Sequence, residues 1–372
     1  MKRTLSLALL IFAVAAAALG QDFRTVHPGV EHADVTHRAA GDTFRIHLLR
    51  LDLTRVRLDV KLGMDTIVGT ETTSSIARRH GAVAAINAGF FRFDGSIFAG
   101  DPVGLLRVDG VTLSESVNSR VAMMIENTAR ETRVHFDRAD VSILLTTRGQ
   151  EFTVGINRER RDNDIVIYTP EFGRTTLTDR TGAEFLVSAG RVTGVFNPHG
   201  SSVIPAGGYV ISASGDKLPE LLRLLTRSTR VEMTVRHSSP TDVVPTTVFG
   251  RAEDITNGVS RLVTAGKIDL TWEAERAIRT FAENRHPRTA VAKLRDGRFL
   301  MITVDGRQPG VSEGMTLQEL AEYVITLGAI DAINLDGGGS TTMYLDGKVV
   351  NTPSNNDAVE RKVSDAVIVT LR

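Results

Sequence analysis

The alternation of apolar and polar residues predicts short β-strands along the first two thirds of the chain. Phe44–Leu51 and Arg55–Leu62 alternate in this way and are separated by a short break, which is typical of a hairpin. The apolar run Ala82–Ile86 is typical of a buried strand. The other strands predicted in this part are Leu105–Val108, Val121–Ile125, Thr132–Phe136, Val141–Leu145, Ile165–Tyr168, Glu184–Ser188, Arg191–Phe196 and Tyr209–Ser212.

Helical patterns are few. Leu218–Leu225 and, less clearly, Glu273–Glu283 fit the period of a helix. The best-defined helix covers 317–327, because Thr316 and Glu319 form a capping box and Gly328 stands at the expected C-terminal cap. Its apolar face consists of Leu317, Leu320, Ala321, Val324 and Leu327.

This helix lies between two apolar segments, Phe299–Val304 and Ala332–Leu335, and the three elements predict a βαβ unit. A crossover of this kind normally joins parallel strands. Asp305 and Asp336 would then follow the carboxyl ends of parallel strands, the edge where ligands collect in such sheets. The expected fold class is α+β, with a mixed β-sheet core flanked by helices and the C-terminal βαβ unit carrying the site.

The composition excludes several kinds of chemistry. The chain has 372 residues, and its 44 basic residues balance its 44 acidic ones, which argues against nucleic acid as the main partner. It has no cysteine, so disulfides, cysteine-ligated metals and cysteine nucleophiles are excluded. The sequence also lacks the G-x-S-x-G, H-E-x-x-H, P-loop and dinucleotide-binding motifs.

The N-terminus is typical of a secretory signal peptide. Basic residues at positions 2 and 3 precede an apolar run from Leu5 to Leu19, and small residues at positions 18 and 20 suit cleavage. The run is short for a membrane-spanning helix, which needs about 20 residues, although an uncleaved anchor is the alternative. We expect 1–20 to be removed and the mature protein to be secreted or periplasmic, with no integral membrane segment.

The sharpest local motif is Asp336-Gly-Gly-Gly-Ser340. Three consecutive glycines remove every Cβ, so the backbone amides could form a nest for an anion. The alternative is a flexible hairpin loop between Ala332–Leu335 and a strand at Thr341–Leu345. Three other Asp-Gly pairs, at 109–110, 296–297 and 346–347, are predicted to be ordinary hairpin turns.

Two more segments offer candidate site residues. Arg288 stands just before the predicted strand Ala290–Leu294, and it could bind two phosphate oxygens or form a surface salt bridge. Asn87 follows a buried strand and is followed by Phe90 and Phe91. This segment could form a sugar-binding platform, although the phenylalanines could equally belong to the core.

Several motifs occur in a fixed order along the chain. They are Asn87-Ala-Gly-Phe-Phe91, Gly100-Asp-Pro-Val-Gly104, Arg288-Thr-Ala290, Asp305-Gly-Arg307, Ser312-x-Gly-Met-Thr316, Asn334-Leu-Asp-Gly-Gly-Gly-Ser340, Asn351-Thr-Pro-Ser354 and Arg361. In this order they resemble the phosphodiester glycosidase family, whose bacterial members include exported proteins linked to exopolysaccharide. One departure is Ala88, where the family more often has glycine.

The resemblance implies an α+β fold and cleavage of a sugar-1-phosphodiester, such as an α-N-acetylglucosamine-1-phosphodiester, at the anomeric carbon. The similarity runs from about Ala82 to the C-terminus, so the expected organisation is the signal peptide (1–20), an N-terminal strand region (21–80) and a phosphodiester glycosidase-like domain (81–372). Within that domain, a β-rich middle section at about 111–250 is weaker in motifs. The implied substrate is a carbohydrate or a glycan-phosphate.

The residues suit this reaction because a phosphate monoester is a weakly basic leaving group and needs little protonation. The hypothesis makes Asp336 the nucleophile or base and gives Asp305 an orienting or assisting role. The groups expected to hold the phosphate are Arg288, Gly337, Gly338, Gly339 and Ser340, with Arg307 as a second source of positive charge. Asn87 and Asn334 are expected to bind sugar hydroxyls or an acetamido group.

Two alternatives remain open at this point. A catalytically silent polysaccharide-binding or export-assembly module would keep the pocket for recognition alone. A metal-dependent phosphodiesterase would use Asp305 and Asp336 to hold a divalent ion. No cofactor and no catalytic metal are expected on the first reading, although a structural divalent cation is compatible with it.

Overall fold

A computed structural model describes residues 22–39, 41–241, 244–355 and 358–372. The predicted signal peptide, 1–20, lies outside the described residues. Within them the chain is mostly β-sheet with a few short helices, compatible with an α+β fold. None of the helices in these ranges is long and apolar enough to cross a membrane.

The strands fall into three parts of the chain. The first are β1 (Arg24–His27), β2 (Val30–Ala39), β3 (Asp42–Leu51), β4 (Val56–Leu62), β5 (Glu71–Thr72), β6 (Ala84–Asn87), β7 (Leu106–Val108), β8 (Val111–Ser114), β9 (Val121–Asn127) and β10 (Thr132–Arg138). The middle strands are β11 (Asp140–Thr147), β12 (Gln150–Ile156), β13 (Ile165–Tyr168), β14 (Ala183–Ser188), β15 (Arg191–Phe196), β16 (Gly208–Ala213) and β17 (Glu232–Ser238). The last are β18 (Asp254–Asn257), β19 (Arg261–Thr264), β20 (Lys267–Ile268), β21 (Arg288–Leu294), β22 (Phe299–Val304), β23 (Ala329–Asn334), β24 (Met343–Leu345), β25 (Lys348–Val349), β26 (Lys362–Val363) and β27 (Asp365–Leu371).

The helices are short. They are α1 (Thr73–Arg79), α2 (Leu218–Leu224), α3 (Thr246–Arg251), α4 (Arg279–Glu283) and α5 (Leu317–Thr326). The capping box of α5 is present, since the Thr316 hydroxyl accepts from the Glu319 amide and the Glu319 carboxylate accepts from the Thr316 amide. The prediction for 273–283 was wrong in its first half, because a turn precedes the five-residue α4.

Two sheets position the candidate site. The larger has eight strands in the order β1-β2-β3-β22-β21-β23-β19-β20, and the smaller has five in the order β25-β24-β6-β27-β4. Buried side chains of both, such as Val291, Ile333, Ile86 and Val367, share one apolar core. The middle strands form a seven-stranded sheet, β15-β14-β16-β13-β12-β11-β17, which shares a second apolar core with residues of β9 and β18.

The predicted N-terminal hairpin was wrong, although both strands exist. β3 pairs with β2 and β22, whereas β4 lies in the other sheet and pairs with β27. β3 lies inside the eight-stranded sheet and β4 at the edge of the five-stranded one, and the buried residues of each strand pack into the core beneath its own sheet. The three Asp-Gly turns, in contrast, do join the hairpins β7–β8, β21–β22 and β24–β25.

The connection from β22 through α5 to β23 fixes the geometry of the C-terminal part. β22 and β23 both pair antiparallel with β21, which lies between them. They therefore run in the same direction without being neighbours. The structure therefore differs from the simple βαβ unit expected from the sequence. An antiparallel strand, β21, lies between β22 and β23, and its first residue is Arg288.

Candidate active site

Three neighbouring strands bring the predicted residues to one edge of the eight-stranded sheet. Asp305 follows the end of β22, and Asp336 comes two residues after the end of β23. The strand between them runs the opposite way, so its first residue, Arg288, lies at the same edge and pairs with Val304. Arg288, Asp305 and Asp336, which are tens of residues apart in the sequence, therefore lie at the ends of adjacent strands.

Asp336 is held in place by the neighbouring sheet. The Asn87 side-chain amide donates to the Asp336 carbonyl at 2.6 Å, and the Gly337 amide donates to the Asp336 carboxylate at 2.9 Å. Asn87 is fully buried at the end of β6, and its oxygen accepts from the Thr289 hydroxyl and the Thr342 amide. Both the nitrogen and the oxygen of the Asn87 side-chain amide are therefore used within the protein, and the Asp336 carbonyl is held in place as a result.

The triglycine segment (Gly337–Gly339) lies directly under two guanidinium groups. A Cβ on Gly338, which has φ +59°, would lie 3.0 Å from Arg307 Nη2, and a Cβ on Gly339 would overlap the Arg361 guanidinium. Neither arginine forms an ion pair with another described residue. Two cations without an anionic partner above a segment without side chains form a site suited to a phosphate group.

The backbone amides of the triglycine segment contribute less than the sequence suggested. The Gly337 amide donates to Asp336, and the Gly338 amide donates to the Pro287 carbonyl at 2.8 Å. Ser354 additionally holds the segment by donating to the Gly338 carbonyl at 3.0 Å. Two of the three glycine amides are thus used within the protein, which makes Arg307 and Arg361 the main source of positive charge.

Asp336 is surrounded by protein on most sides but retains part of its accessible surface. Burial raises its pKa to about 6, against the opposing effects of the Ser340 hydroxyl, Arg361 and the Gly337 amide. The nearby Asp365 carboxylate raises the pKa further. Asp336 therefore titrates close to neutrality, as expected for a carboxylate that acts on a substrate.

Asp365 itself is unsuited to direct contact with a substrate. It is 1% exposed, and its oxygens accept from the Gly89 amide, the Ser364 hydroxyl and the Thr256 hydroxyl. A buried carboxylate that accepts hydrogen bonds from three groups of the protein influences neighbouring residues through its negative charge. Here it acts on Asp336.

Asp305 lies in a buried network of its own. It is 2% exposed and accepts from the Thr352 amide at 3.1 Å and from the Asn351 side chain at 3.3 Å. His47 Nε2 lies 3.7 Å from its other oxygen. Among the described residues, no hydrogen bond or ion pair connects Asp305 with Asp336.

Arg288 is also at this edge, but its donors point into the protein. Its guanidinium donates to the carbonyls of Met315, Phe281 and Asn284 at 2.7, 2.8 and 3.1 Å. The side chain is 1% exposed, and burial lowers its pKa to about 9, so it remains charged near pH 7. These contacts connect the start of β21 with α4 and with the segment that precedes α5.

Several polar atoms at the site have no hydrogen-bond partner among the described residues. They are Asn334 Oδ1, Thr341 Oγ1, Thr342 Oγ1 and Arg361 Nε. The Asn334 amide nitrogen, in contrast, donates to the Val259 and Leu335 carbonyls. Buried polar atoms are normally paired, so a group of unpaired ones beside Asp336 marks a place where a ligand could supply partners.

A cavity of about 350 Å³ opens beside Arg361, and Phe91 and Phe93 form part of its wall. The Arg361 guanidinium stacks over the Phe93 ring at 4.3 Å from its centre. Arg92 belongs to this cavity and also to a second one, of about 660 Å³, which contains Asp101. Burial raises the pKa of Asp101 to about 7.

Sequence reasoning did not assign a role to Arg361 or Asp365. Arg361 is part of the ordered motifs, but its position far from the other charged residues in sequence gave no reason to place it over the glycines. Asp365 is the first residue of β27, an otherwise apolar strand. A charged residue at the start of an apolar strand was the sequence feature that could have marked it as a candidate site residue.

The metal-dependent alternative can be tested against the arrangement of donors. It requires Asp305 and Asp336 to share an ion, yet each is occupied by separate amide donors and they have no contact with each other. Arg361, close enough to influence the Asp336 pKa, adds positive charge on the Asp336 side. These residues do not fit a shared divalent ion.

Comparison with known proteins identifies the family. The family model for phosphodiester glycosidase matches residues 181–370, just over half of the chain. The chain therefore belongs to the phosphodiester glycosidase family. The middle strands from β14 onward and the whole triglycine edge from β21 to β23 lie within the matched part.

Relatives of known sequence match over short segments. The chain is 41% identical over 69 residues to bovine N-acetylglucosamine-1-phosphodiester alpha-N-acetylglucosaminidase, and 38% identical over 86 residues to the SPbeta prophage-derived uncharacterized protein YomE of Bacillus subtilis (strain 168). These segments are 18% and 23% of this chain, and each covers 13% of the relative. The shared region is thus a small part of either relative.

Two solved structures share the fold over most of the chain. A hypothetical protein from Synechocystis superposes with a TM-score of 0.78 and 24% identity, covering 92% of this chain and 62% of that one. A putative exported protein from Burkholderia pseudomallei K96243 gives a TM-score of 0.73 and 24% identity, covering 88% and 74%. The likeness establishes a common fold.

Proposed function

We propose that this chain is an exported hydrolase that cleaves a sugar-1-phosphodiester between the anomeric carbon and the glycosidic oxygen. Water adds to the anomeric carbon, and the phosphate leaves as a monoester that keeps the bridging oxygen. The observation that carries the proposal is the placement of Arg307 and Arg361 over the triglycine segment beside Asp336. Membership of the phosphodiester glycosidase family supports the same class of reaction.

Charge complementarity favours a phosphodiester over an ordinary glycoside. A phosphodiester has one negative charge, and a second develops on the phosphate as the glycosidic bond breaks. Two guanidinium groups above a surface without side chains can follow this increase in charge, which is the differential stabilisation that lowers a barrier. Because the leaving group is weakly basic, the site can work without a second carboxylate that protonates it.

Asp336 is the group we assign to the sugar side of the reaction. Its carboxylate acts on the anomeric carbon either directly as a nucleophile or through a water molecule as a base. Either role needs the ionised carboxylate, which is the dominant form when the pH is above the Asp336 pKa of about 6. Arg288 and Asp305, whose donors and acceptors are used internally, are assigned to holding the edge of the sheet in position.

Isotope labelling tests the reaction class. The mature chain would be incubated in H₂¹⁸O with sugar-1-phosphate methyl esters, beginning with the N-acetylglucosamine derivative, and the products analysed by mass spectrometry. We expect ¹⁸O on the anomeric hydroxyl of the sugar and unlabelled methyl phosphate. Label in the phosphate would indicate cleavage of the P–O bond and contradict the proposal.

The same experiment separates the binding-module alternative. If sugar phosphates bind saturably without any release of reducing sugar, the pocket recognises its ligand without catalysis and the hydrolase proposal fails. The Asp336→Asn variant is the matched control, since it should bind the ester and release no labelled sugar.

A further inference from the structure

A second group of polar side chains lies on the eight-stranded sheet, beyond Asp305. His32 and Asp34 are two residues apart on β2 and therefore face the same side of the sheet. His47 on β3 lies directly opposite Asp34 in the pairing of the two strands. Two imidazoles and one carboxylate are thus brought together by antiparallel pairing alone.

The spacing of these side chains suits a small metal ion. His32 Nε2 lies 3.3 Å from Asp34 Oδ1, and His47 Nδ1 lies 2.6 Å from the same oxygen. One ligand atom from each residue falls within 4.8 Å of the others. Around tetrahedral Zn²⁺, with bonds of about 2.0–2.1 Å, neighbouring ligand atoms are about 3.3 Å apart. The His32–Asp34 pair already has this spacing, whereas His47 Nδ1 lies closer to Asp34 than this spacing and would move away from it on binding.

Burial provides an independent observation. His32 is 1% exposed, and its Nε2 has no hydrogen-bond partner of acceptable geometry among the described residues. This buried ring nitrogen faces Asp34 Oδ1 at 3.3 Å without forming a well-aligned hydrogen bond, so an ion between the two atoms would give both of them a partner. Asp34 is 57% exposed, so an ion could reach the group from solvent and keep an open coordination position.

The surroundings of His47 are those of a metal ligand. A ligating histidine usually directs its second ring nitrogen to a carboxylate, which fixes the ring. His47 Nε2 lies 3.7 Å from the Asp305 carboxylate, which is anchored by the Thr352 amide. The Asp305 network therefore orients His47 with Nδ1 toward His32 and Asp34.

One neighbouring cation opposes metal binding. Arg24 on β1 donates to His32 Nδ1 at 3.2 Å and lies 3.8 Å from Asp34. Its side chain is 71% exposed, so it can turn away into solvent at little cost. Arg24 would therefore compete with an ion without blocking it.

We infer that His32 Nε2, the Asp34 carboxylate and His47 Nδ1 form a site for a divalent transition-metal ion of the Zn²⁺ class. Two imidazole ligands favour such ions over Ca²⁺ and Mg²⁺, which prefer oxygen. The site is distinct from the triglycine segment and does not depend on the proposed hydrolase activity. Through His47 it would connect β2 and β3 with the Asp305 edge.

Calorimetric titration of Zn²⁺ into chelator-treated full chain tests the inference. We expect one equivalent to bind, and Asp34→Asn to weaken binding at least about tenfold. Because Asp34 is exposed, this substitution should leave the fold intact. Arg24→Ala should strengthen binding, since it removes the competing cation.

His27→Ala is the matched control, because His27 forms a surface pair with Asp346 at the same 2.6 Å. It should bind Zn²⁺ like the parent chain. Absence of a saturable equivalent, or equal weakening by Asp34→Asn and His27→Ala, would overturn the inference. Substitution of Co²⁺ gives a second readout, since visible absorption bands typical of tetrahedral nitrogen and oxygen ligation should disappear in His32→Ala.

Discussion

Asp336 and Asp305 have equivalent positions after two strands of one sheet, but the segments next to them differ. Each aspartate follows one of two strands that run in the same direction in one sheet, with β21 between them. Asp336 is followed by glycines, which leave room for two guanidinium groups. Asp305 is covered by Asn351 and Thr352, and its acceptors are filled. The position of a carboxylate at a strand end is therefore insufficient to predict its role, because the segment that covers it decides whether a ligand can reach it.

The comparison makes Asp336 the residue whose change should affect turnover most. Asp336→Asn keeps the shape and removes the charge, so we expect kcat/KM for a sugar-1-phosphodiester to fall by about a thousandfold or more. The pKa of Asp336 is raised in the folded protein, so its protonated form is favoured there, and the stabilisation is lost as pH rises through about 6. The variant should therefore melt at the same or a higher temperature at pH 7. A large drop in melting temperature would show that the carboxylate is structural.

The two arginines over the triglycine segment should have the next largest effect. Arg361→Gln and Arg307→Gln each remove one charge that faces the phosphate, and we expect kcat/KM to fall by about a hundredfold. Arg279→Gln is the matched control, since Arg279 is a 79% exposed arginine on α4 paired with Glu283. Steady-state kinetics on one purified substrate would suffice. If Arg279→Gln lost as much activity as Arg361→Gln and Arg307→Gln, the loss would result from the change in net charge of the protein, and the assignment of the two arginines to the phosphate would be wrong.

The pH dependence should follow Asp336. If the ionised carboxylate is required, kcat/KM should rise about tenfold between pH 5 and pH 7, with a midpoint near 6. Rates measured over this range, in buffers of constant ionic strength, give the midpoint. An activity that declines from pH 5 to pH 7 would instead make Asp336 a proton donor.

Substitution of Asp305 should reduce the stability of the protein more than its activity. Asp305→Asn places an amide where two nitrogen donors now point, so we expect a loss of about 1–3 kcal/mol in the free energy of unfolding. The activity that remains at a temperature below melting should stay within about tenfold of the parent. Denaturant titration beside kinetics measures both quantities. A variant of parental stability with no activity would place Asp305 in the chemistry and remove the contrast with Asp336.

Much of the local structure follows from the sequence. The apolar run 299–304, the capping box of α5 and the Asp-Gly turns are specified by neighbouring residues, and each forms as predicted. The pairing of β4 with β27 could not be predicted, because it depends on a contact between segments about 300 residues apart.

The strand ends that carry the candidate residues could be predicted in part, whereas the orientation of the side chains could not. Strand order brings Arg288, Asp305 and Asp336 to one edge, and Asp305 and Asp336 follow strands that run in the same direction, as the predicted βαβ unit required. Which way each side chain turns depends on long-range partners: carbonyls from 281–315 occupy Arg288, and Asn351 occupies Asp305. Arg361 emerges beside the glycines only because β26 and β27 are anchored in other sheets.

The interleaving of the two sheets has a consequence for any attempt to divide the protein. The five-stranded sheet places β6 and β4 around β27, and the eight-stranded sheet places β3 beside β22. A fragment limited to 181–370, the part that the family model matches, would leave β22 without β3 and β27 without both of its neighbours, β4 and β6, and would lack Asn87. Such a fragment would expose unpaired strand edges and self-associate. Engineering by excision or by domain grafting would therefore need to carry the strands from both parts of the sequence.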